Sequence, residues 1–348
     1  MISVQVQTGP KALALANEFD LQWDGSSTFD PWPVPDVPKT YGLGLIVGPS
    51  GTGKSILLQH FGTPAKIDWN PSYPIASHFA TPQNAHEKLS AAGLNSVPTW
   101  LKPYHVLSTG EKFRADLARR LRSGAVLDEY TSVVDRKVAA TTSIALRRYI
   151  DRQDLKNITI ATCHFDIIRQ LEPDWIFNTT NGVLDARGRV PRTRITIDVY
   201  RCSWRTWPLF GKYHYLSHKL HKQAQCFVGL WEGHPVVFTA VLAFPHPTIK
   251  KAFREHRTVV LPDYQGAGIG TQFSDAIAQL YIDTGRKYYS RTSHPSMGEY
   301  RNRSPLWKPT RTNQRRQTRS NPDTSIQDHW TTDTKRLCYS HQYVGKSL

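Results

Sequence analysis

The strongest constraint on this chain is the run YGLGLIVGPSGTGKSILLQHF, residues 41–61. Its uncharged apolar start reads as a buried strand, and the apolar spacing after Lys54 reads as a helix. Between them GPSGTGKS has the GxxxxGKS spacing, in the strand–loop–helix setting that gives this pattern meaning. Gly48, Gly51 and Gly53 let backbone N–H groups wrap phosphates with no Cβ in the way, at a helix start that favours anions. Lys54 is expected to reach the β- and γ-phosphates of a nucleoside triphosphate, and Ser55 to ligate Mg2+.

Two further segments complete that chemistry. GAVLDEYTSVVDR, residues 124–136, is a short apolar strand ending in two acids. Asp128 suits the Mg2+ shell, and Glu129 suits a base or polariser for an attacking water. NITIATCHFD, residues 157–166, is another buried strand ending at His164, placed to sense a γ-phosphate. Just before the acidic strand, LSTGEKFRADLARRL (107–121) opens a helix.

In that order these segments resemble the ABC-type ATPases over about residues 40–180. Ser108, Gly110 and Glu111 match the signature motif, DEYTSVVD the second nucleotide motif and D-loop with Asp135, and His164 the switch histidine. The resemblance implies ATP and Mg2+ as cofactors, with Lys54, Glu129 and His164 as catalytic residues. It also implies a head-to-tail homodimer in which Ser108 and Gly110 of one subunit close over the nucleotide of the other. Gln83, in HFATPQNAH, is the candidate for the glutamine loop. No apolar run approaches the ~20 residues of a membrane span, which argues against a membrane role and transport. Soluble relatives that work on DNA or RNA are nearer in style, without the heptads of a long-armed member.

Charge divides the chain. Residues 191–348 carry 24 Lys and Arg against 10 Asp and Glu, whereas residues 1–190 carry 20 against 18. The positive field of the second half points to a polyanion, nucleic acid first, or to a phosphate-rich cofactor. Four scattered cysteines without a CxxC pair, and no evident signal peptide, fit a reducing cytoplasm. A turn-rich, charged stretch at 178–194 reads as a connector, giving expected domains at 1–185 and 192–348.

The second half contains another glycine loop, LPDYQGAGIG at 261–270. It lacks the GKS of a triphosphate loop and the GxGxxG of a dinucleotide fold. It does follow a strand and open the apolar helix TQFSDAIAQLYIDTG. The order Gln265, Gly266, Gly268, Gly270 resembles the acyl-CoA loop of the GNAT acyltransferases, whose amides hold the CoA pyrophosphate. The resemblance implies acyl-CoA, acetyl-CoA first, as a further cofactor. The whole chain thus resembles fused ABC-type ATPase and GNAT-like proteins: an α/β fold, a P-loop ATPase domain followed by a mixed α/β acyltransferase domain. WRTWPLFGKYHYLSHKL (204–220), SHPSMGEYRNRSPLW (293–307) and YSHQYVG (339–345) are also loosely similar to the Mom-type DNA-modifying acyltransferases.

Acyl transfer needs a base for the acceptor amine and often a tyrosine for the leaving thiolate. The usual Asn…Tyr pattern is missing from GRKYYSRTSHPS, leaving His214, Tyr215, Tyr289 and His294 as candidates by residue type. His214, His218 and His221 would share one face of a helix, either as a basic surface touching phosphate or as metal ligands. RNRSPLWKPTRTNQRRQTRSNPDTS (301–325) reads as a mobile basic loop. It either tracks a nucleic-acid backbone with Trp307 free to stack, or is merely solvated.

Overall fold

The computed structural model describes residues 2–191, 195–214, 218–246, 248–316 and 337–345. Contacts divide the chain into two compact units, residues 1–92 with 98–193, and residues 93–97 with 194–348. Both are built on mixed α/β sheets.

The first unit opens with β1 (Ile2–Gln5), α1 (Pro10–Glu18) and β2 (Ser26–Phe29), the two strands forming an antiparallel ribbon. Next come β3 (Leu43–Val47), α2 (Lys54–Leu58), α3 (Pro82–Ala91), α4 (Val97–Trp100) and α5 (Thr109–Arg120). β4 (Val126–Leu127), α6 (Arg136–Arg152), β5 (Ile158–Thr162), α7 (Ile168–Leu171), β6 (Trp175–Asn178) and β7 (Val183–Asp185) complete it. The main sheet has the order β4-β5-β3-β6-β7, parallel except for β7. Every residue of β3 and β5 is buried. Uncharged sequences, LGLIV in β3 and ITIAT in β5, suit parallel strands covered on both faces. The two buried threonines of β5 bond through their hydroxyls to Tyr41 and the Tyr130 carbonyl. Gly44 leaves room for the Trp175 indole, which a Cβ there would strike. That indole joins Leu57, Leu58, Val126 and Phe177 in the core. Each such fully buried apolar side chain contributes roughly 1.5–3 kcal/mol. The stretch 178–185, expected as connector, is instead the β6–β7 hairpin: Asn178 pairs with Val183 and Ile176 with Asp185.

The second unit contains β8 (Asp198–Cys202), α8 (Trp207–Gly211), β9 (Gln225–Trp231), β10 (His234–Ala243) and β11 (Ala252–Val260). It continues with α9 (Ile269–Asp283), β12 (Lys287–Thr292), α10 (Pro295–Arg303), β13 (Trp307–Pro309), β14 (Arg315–Arg316) and β15 (Leu337–Tyr343). Its sheet runs β13-β15-β12-β11-β10-β9-β8, with β14 also pairing β15. Neighbours are antiparallel except β11 and β12, which are parallel. That one pair is held only at its beginning, Ala252–Arg254 against Lys287–Tyr289. Beyond it, β11 continues beside β10 alone, so a cleft opens between β11 and β12. β11 also carries a bulge: Ala240 pairs with Arg257 and Val241 with Glu255, leaving His256 as the extra residue.

Two expectations fail in this unit. Trp307 is not available for stacking; it is only 4% exposed, packs edge-on against Tyr343, and lies under the Arg301 guanidinium. Arg301 is itself buried at the end of α10, bonded to both Glu255 oxygens at 2.9 and 3.0 Å and to Ser274 and Ser290. Residues 301–303 therefore end a helix and 307–309 form a strand, because a buried carboxylate and an aromatic cluster claim the two most conspicuous side chains of this stretch. The part of the basic loop at 317–325 lies outside the described residues. Likewise, among the described residues the helical face expected for His214, His218 and His221 is not formed: residues 212–214 and 218–224 are turns and coil.

Candidate functional site

In the first unit the sheet order brings the carboxyl ends of β3, β5 and β4 side by side, the edge where open α/β sheets bind ligands. The loop 48–53 leaves β3 there and ends at α2. Gly51 and Gly53 lie at φ +81° and +82°, which side-chain-bearing residues rarely adopt. A Cβ on Gly48 would run into the Thr179 hydroxyl, and one on Gly53 would approach the Phe29 ring at 2.6 Å. Thr52 and Thr179 share a hydrogen bond of 2.6 Å, tying the loop to the end of β6. Lys54 turns back over the loop, its Nζ donating to the Pro49 carbonyl at 2.5 Å. Ser55 follows it, exposed in the first turn of α2.

Asp128 and Glu129 leave β4 on the same sheet edge. Asp128 is half-buried and accepts from the Glu129 amide at 2.9 Å, while Glu129 is exposed and sits at φ +50°. His164 follows β5, its amide donating to the Thr162 hydroxyl at 3.1 Å. Burial pushes its pKa down, and nearby Arg136 adds to that against the opposing charge of Asp166. Arg136 is engaged by Asp166 in a two-pronged ion pair. Asp135 caps α6, accepting from the Lys137 and Val138 amides at 3.0 Å. The structure thus gathers loop, Lys54, Ser55, Asp128, Glu129 and His164 on adjoining strand ends.

Ser108, Gly110 and Glu111 lie elsewhere on the unit, at the start of α5. Ser108 and Glu111 form a reciprocal capping box, each satisfying the other's amide. Gly110 packs toward Val134 and the Val133 carbonyl. Gln83 lies in the first turn of α3, its amide bonded to Glu87 at 2.6 Å.

The loop's residues fit a phosphate-bearing group in one respect: Gly51 and Gly53 hold the backbone at positive φ, and a Cβ on Gly48 or Gly53 would strike Thr179 or Phe29. Among the described residues no three His, Cys, Asp or Glu side chains converge into a metal cage. A Mg2+ ion would depend on Ser55, Asp128 and the phosphates themselves, the usual manner for this ion.

In the second unit the loop 261–268 follows β11 directly. Gln265 donates its side-chain amide to the Val260 carbonyl at 2.7 Å, pinning the turn. Gly266 and Gly268 lie at φ +84° and +77°. Gly268 is the N-cap of α9, whose first intrahelical bond is Gln272 to Gly268. The amides of Ile269, Gly270 and Thr271 therefore precede the helix's own bonding. A Cβ on Gly270 would meet Val260 at 2.9 Å. The cradle again fits a phosphate-bearing group, here with no lysine behind it and with the open edge of β11 leading away from it.

Sequence reasoning passed over His256, although the signal was present: Arg254, Glu255, His256 and Arg257 are four polar residues in a row inside a strand. Its ring accepts from the His221 amide at 3.4 Å. Burial, then Arg257, Arg254, His221 and His214, push its pKa down to about 3. Of the earlier candidates, His214 is buried beside Trp207, Tyr289 packs on Phe244, and His294 begins α10; Tyr215 lies outside the described residues. Phe29 and Thr179, which shape the first loop, had no motif to mark them.

Neither a family model nor a curated protein matches this sequence. Among solved structures, it is similar to the ribosomal-protein-S18-alanine N-acetyltransferase of Escherichia coli, at 11% identity over 44% of this chain and 97% of that one, TM-score 0.31. It is similar to a Bacillus subtilis acetyltransferase in complex with CoA, at 9% identity over 43% and 98% of the two chains, TM-score 0.31. A dimeric bacterial ABC transporter cassette is matched at 18% identity over 41% and 83%, TM-score 0.32. At these values the likeness carries no weight of its own, and the chain's own geometry bears the argument. Among the described residues no helix is long and apolar enough to cross a membrane.

Proposed function

We propose that this chain is an ABC-type ATPase joined to a GNAT-like, acyl-CoA-dependent acyltransferase that modifies nucleic acid. The observation that carries this reading is the pair of glycine cradles, each at a strand-to-helix junction but with different chemistry behind it. At the first, Lys54 neutralises phosphate charge, Asp128 and Ser55 hold Mg2+, and Glu129 orients and deprotonates the attacking water. Bound Mg2+ supplies charge neutralisation at the transferring phosphate. His164, kept neutral by its surroundings, offers a hydrogen bond to the γ-phosphate. Ser108 and Gly110 at the exposed start of α5 complete the site of a second copy.

At the second cradle Gly266, Gly268 and the first amides of α9 would hold the CoA pyrophosphate, and bound acyl-CoA would supply the acyl group for transfer. The +14 balance of this half supports a polyanionic acceptor. Incubation with labelled acetyl-CoA, ATP and separate DNA, RNA and protein pools tests the whole reading; label is expected in a nucleic-acid pool. Label in protein alone would replace the acceptor, and no label in any pool would remove the transferase.

One observation favours a second reading, a nucleic-acid-binding ATP switch whose second half binds without catalysing. The tyrosine on α10, Tyr300, gives its hydroxyl to Asp275 at 2.5 Å, so a thiolate's proton must come from another group. Acetyl-CoA calorimetry on the wild type and on Gly268→Glu separates the two. Heat from the wild type that the substitution abolishes supports the cradle, and absence of heat from both supports the switch.

A further inference from the structure

The faces of β10, β11 and β12 can be assigned from their contacts. Phe253 meets Tyr281 of α9 at 4.8 Å, and Glu255 accepts from Ser274 of α9 at 2.6 Å. Alternation then puts Arg254 on the opposite face, with Tyr289, its partner on β12. Past the bulge Val259 also lies on that opposite face, clustered with Trp207 and Phe210 of α8. Phe244, just beyond β10, belongs to it too, because Phe238 and Ala240 of the same alternation join the α8 cluster.

On this face the side chains form a mixed aromatic and cationic patch. Phe244 packs on Tyr289 at 5.8 Å and on His246 at 5.9 Å, and the Arg254 guanidinium lies over the Phe244 ring at 5.3 Å. Arg254 is half-buried, and among the described residues it has no carboxylate partner. Its charged neighbour is instead Arg291, two residues beyond Tyr289 on β12 and exposed. A half-buried guanidinium such as Arg254, beside the like charge of Arg291, is costly, and an anion arriving between the two reduces that cost. Aromatic faces beside such cations add a surface for a planar ring. The patch also adjoins the point where the β11–β12 cleft closes.

We propose that this patch holds one unpaired nucleotide of a single-stranded nucleic acid, its base against Phe244 and Tyr289 and its phosphate between Arg254 and Arg291. This rests on the nucleic-acid acceptor proposed above and makes it specific: a base still stacked in a duplex cannot present its face to Phe244.

The test is fluorescence anisotropy with a labelled 12-residue single-stranded DNA and its duplex, in a salt series, on the full chain. The wild type is expected to prefer the single strand. Phe244→Ala is expected to weaken single-strand binding about 10-fold with the salt slope unchanged, as loss of one stacked base does. The pair Arg254→Gln with Arg291→Gln is expected to lower the slope by about 0.7, one single-strand phosphate contact's worth. The pair Lys250→Gln with Lys308→Gln removes equal charge from exposed positions and is expected to leave the slope alone. Equal binding by all variants, equal loss in the lysine pair, duplex preference, or no wild-type binding would each overturn the proposal. Thermal melts of every variant guard against unfolding, and the arginine pair tests the site should Phe244→Ala fail to fold. Acetyl-CoA calorimetry on the same proteins separates the two claims. Patch-dependent oligonucleotide binding without CoA heat sinks the transferase and leaves this site, and CoA heat with patch-independent binding does the reverse.

Discussion

The two glycine loops solve one problem with different means. Residues 48–53 and 266–268 both place glycines at positive φ between a strand and a helix, so that amides rather than side chains meet the ligand. Behind the first stand Lys54, Ser55 and the acids at the end of β4, enough charge for a triphosphate and its metal. Behind the second stand Ile269, Gly270 and Thr271, which offer amides and a helix dipole and no formal charge. A site of the second kind suits a less charged phosphate group whose remaining affinity comes from elsewhere, here the unpaired edge of β11. On the proposed reading, the glycine pattern suits an anion, and the residue after the last glycine sets how much charge the loop can neutralise.

That contrast can be broken most severely at Lys54. Lys54→Ala is expected to cut phosphate release from ATP by about 100-fold or more, in line with loss of a preorganised charge at a transferring group. Acetyl-CoA binding, followed by calorimetry, should be unchanged; a parallel loss would mean that the two loops do not act separately. The converse variant, Gly268→Val, forces a branched side chain into φ +77° at the N-cap of α9. Acetyl-CoA affinity is expected to fall at least about 10-fold from strain on the order of 1–3 kcal/mol, with ATP turnover kept.

Smaller effects sharpen the comparison. Ser108→Ala removes the N-cap of α5 and should cost about 1 kcal/mol in chemical denaturation. An ATPase loss of 10-fold or more at full folding would add a role toward a second subunit, whereas unchanged turnover would leave only the cap. The histidines beside the two sites give a pH contrast. His164 and His256 both have folded-state pKa values below the ordinary 6.5, through burial first and then neighbouring cations. A depressed histidine adds stability above about pH 6.5 and loses it as pH falls toward the folded value. The second unit should therefore keep losing stability down to about pH 3, the value to which His256 is pushed. His256→Gln should flatten that slope in a pH series of thermal melts, and an unaltered slope would contradict it. Gly51→Ala should cost an amount similar to Ser108→Ala in thermal melts. Its φ is +81° but no atom stands within 4 Å of the new Cβ, so the loss is conformational alone, about 1–2 kcal/mol. A larger loss would mean the loop is packed more tightly than its surroundings show.

Much of the first unit was legible because its signals are local. A fully apolar strand, a glycine loop and a helix must follow one another within 20 residues, and periodicity and turn chemistry report such order directly. The capping box of Ser108 and Glu111 and the acids after β4 are local for the same reason. The 178–185 hairpin was hidden because turn residues mark a hairpin and a linker alike; only pairing with β6 distinguishes them. Trp307 and Arg301 were misread for a related reason. An Arg-rich, polar stretch has the composition of a solvated loop, and nothing near it in sequence reveals that Glu255, Ser274 and Ser290 converge on one guanidinium.

The sequence by itself determined the two glycine loops, the residue that follows each, the acids available to the first, and the excess positive charge of the second half. These are properties of short windows, set by backbone conformations that glycine permits and by charges that stay where the chain puts them. Tertiary structure decided which strand ends lie side by side. It also parted β11 from β12 after three pairs, made His256 a bulge, and put Arg254, Phe244 and Tyr289 on one face while burying Arg301 and Trp307. Those outcomes depend on sheet order and register, which are fixed by packing between segments far apart in the chain.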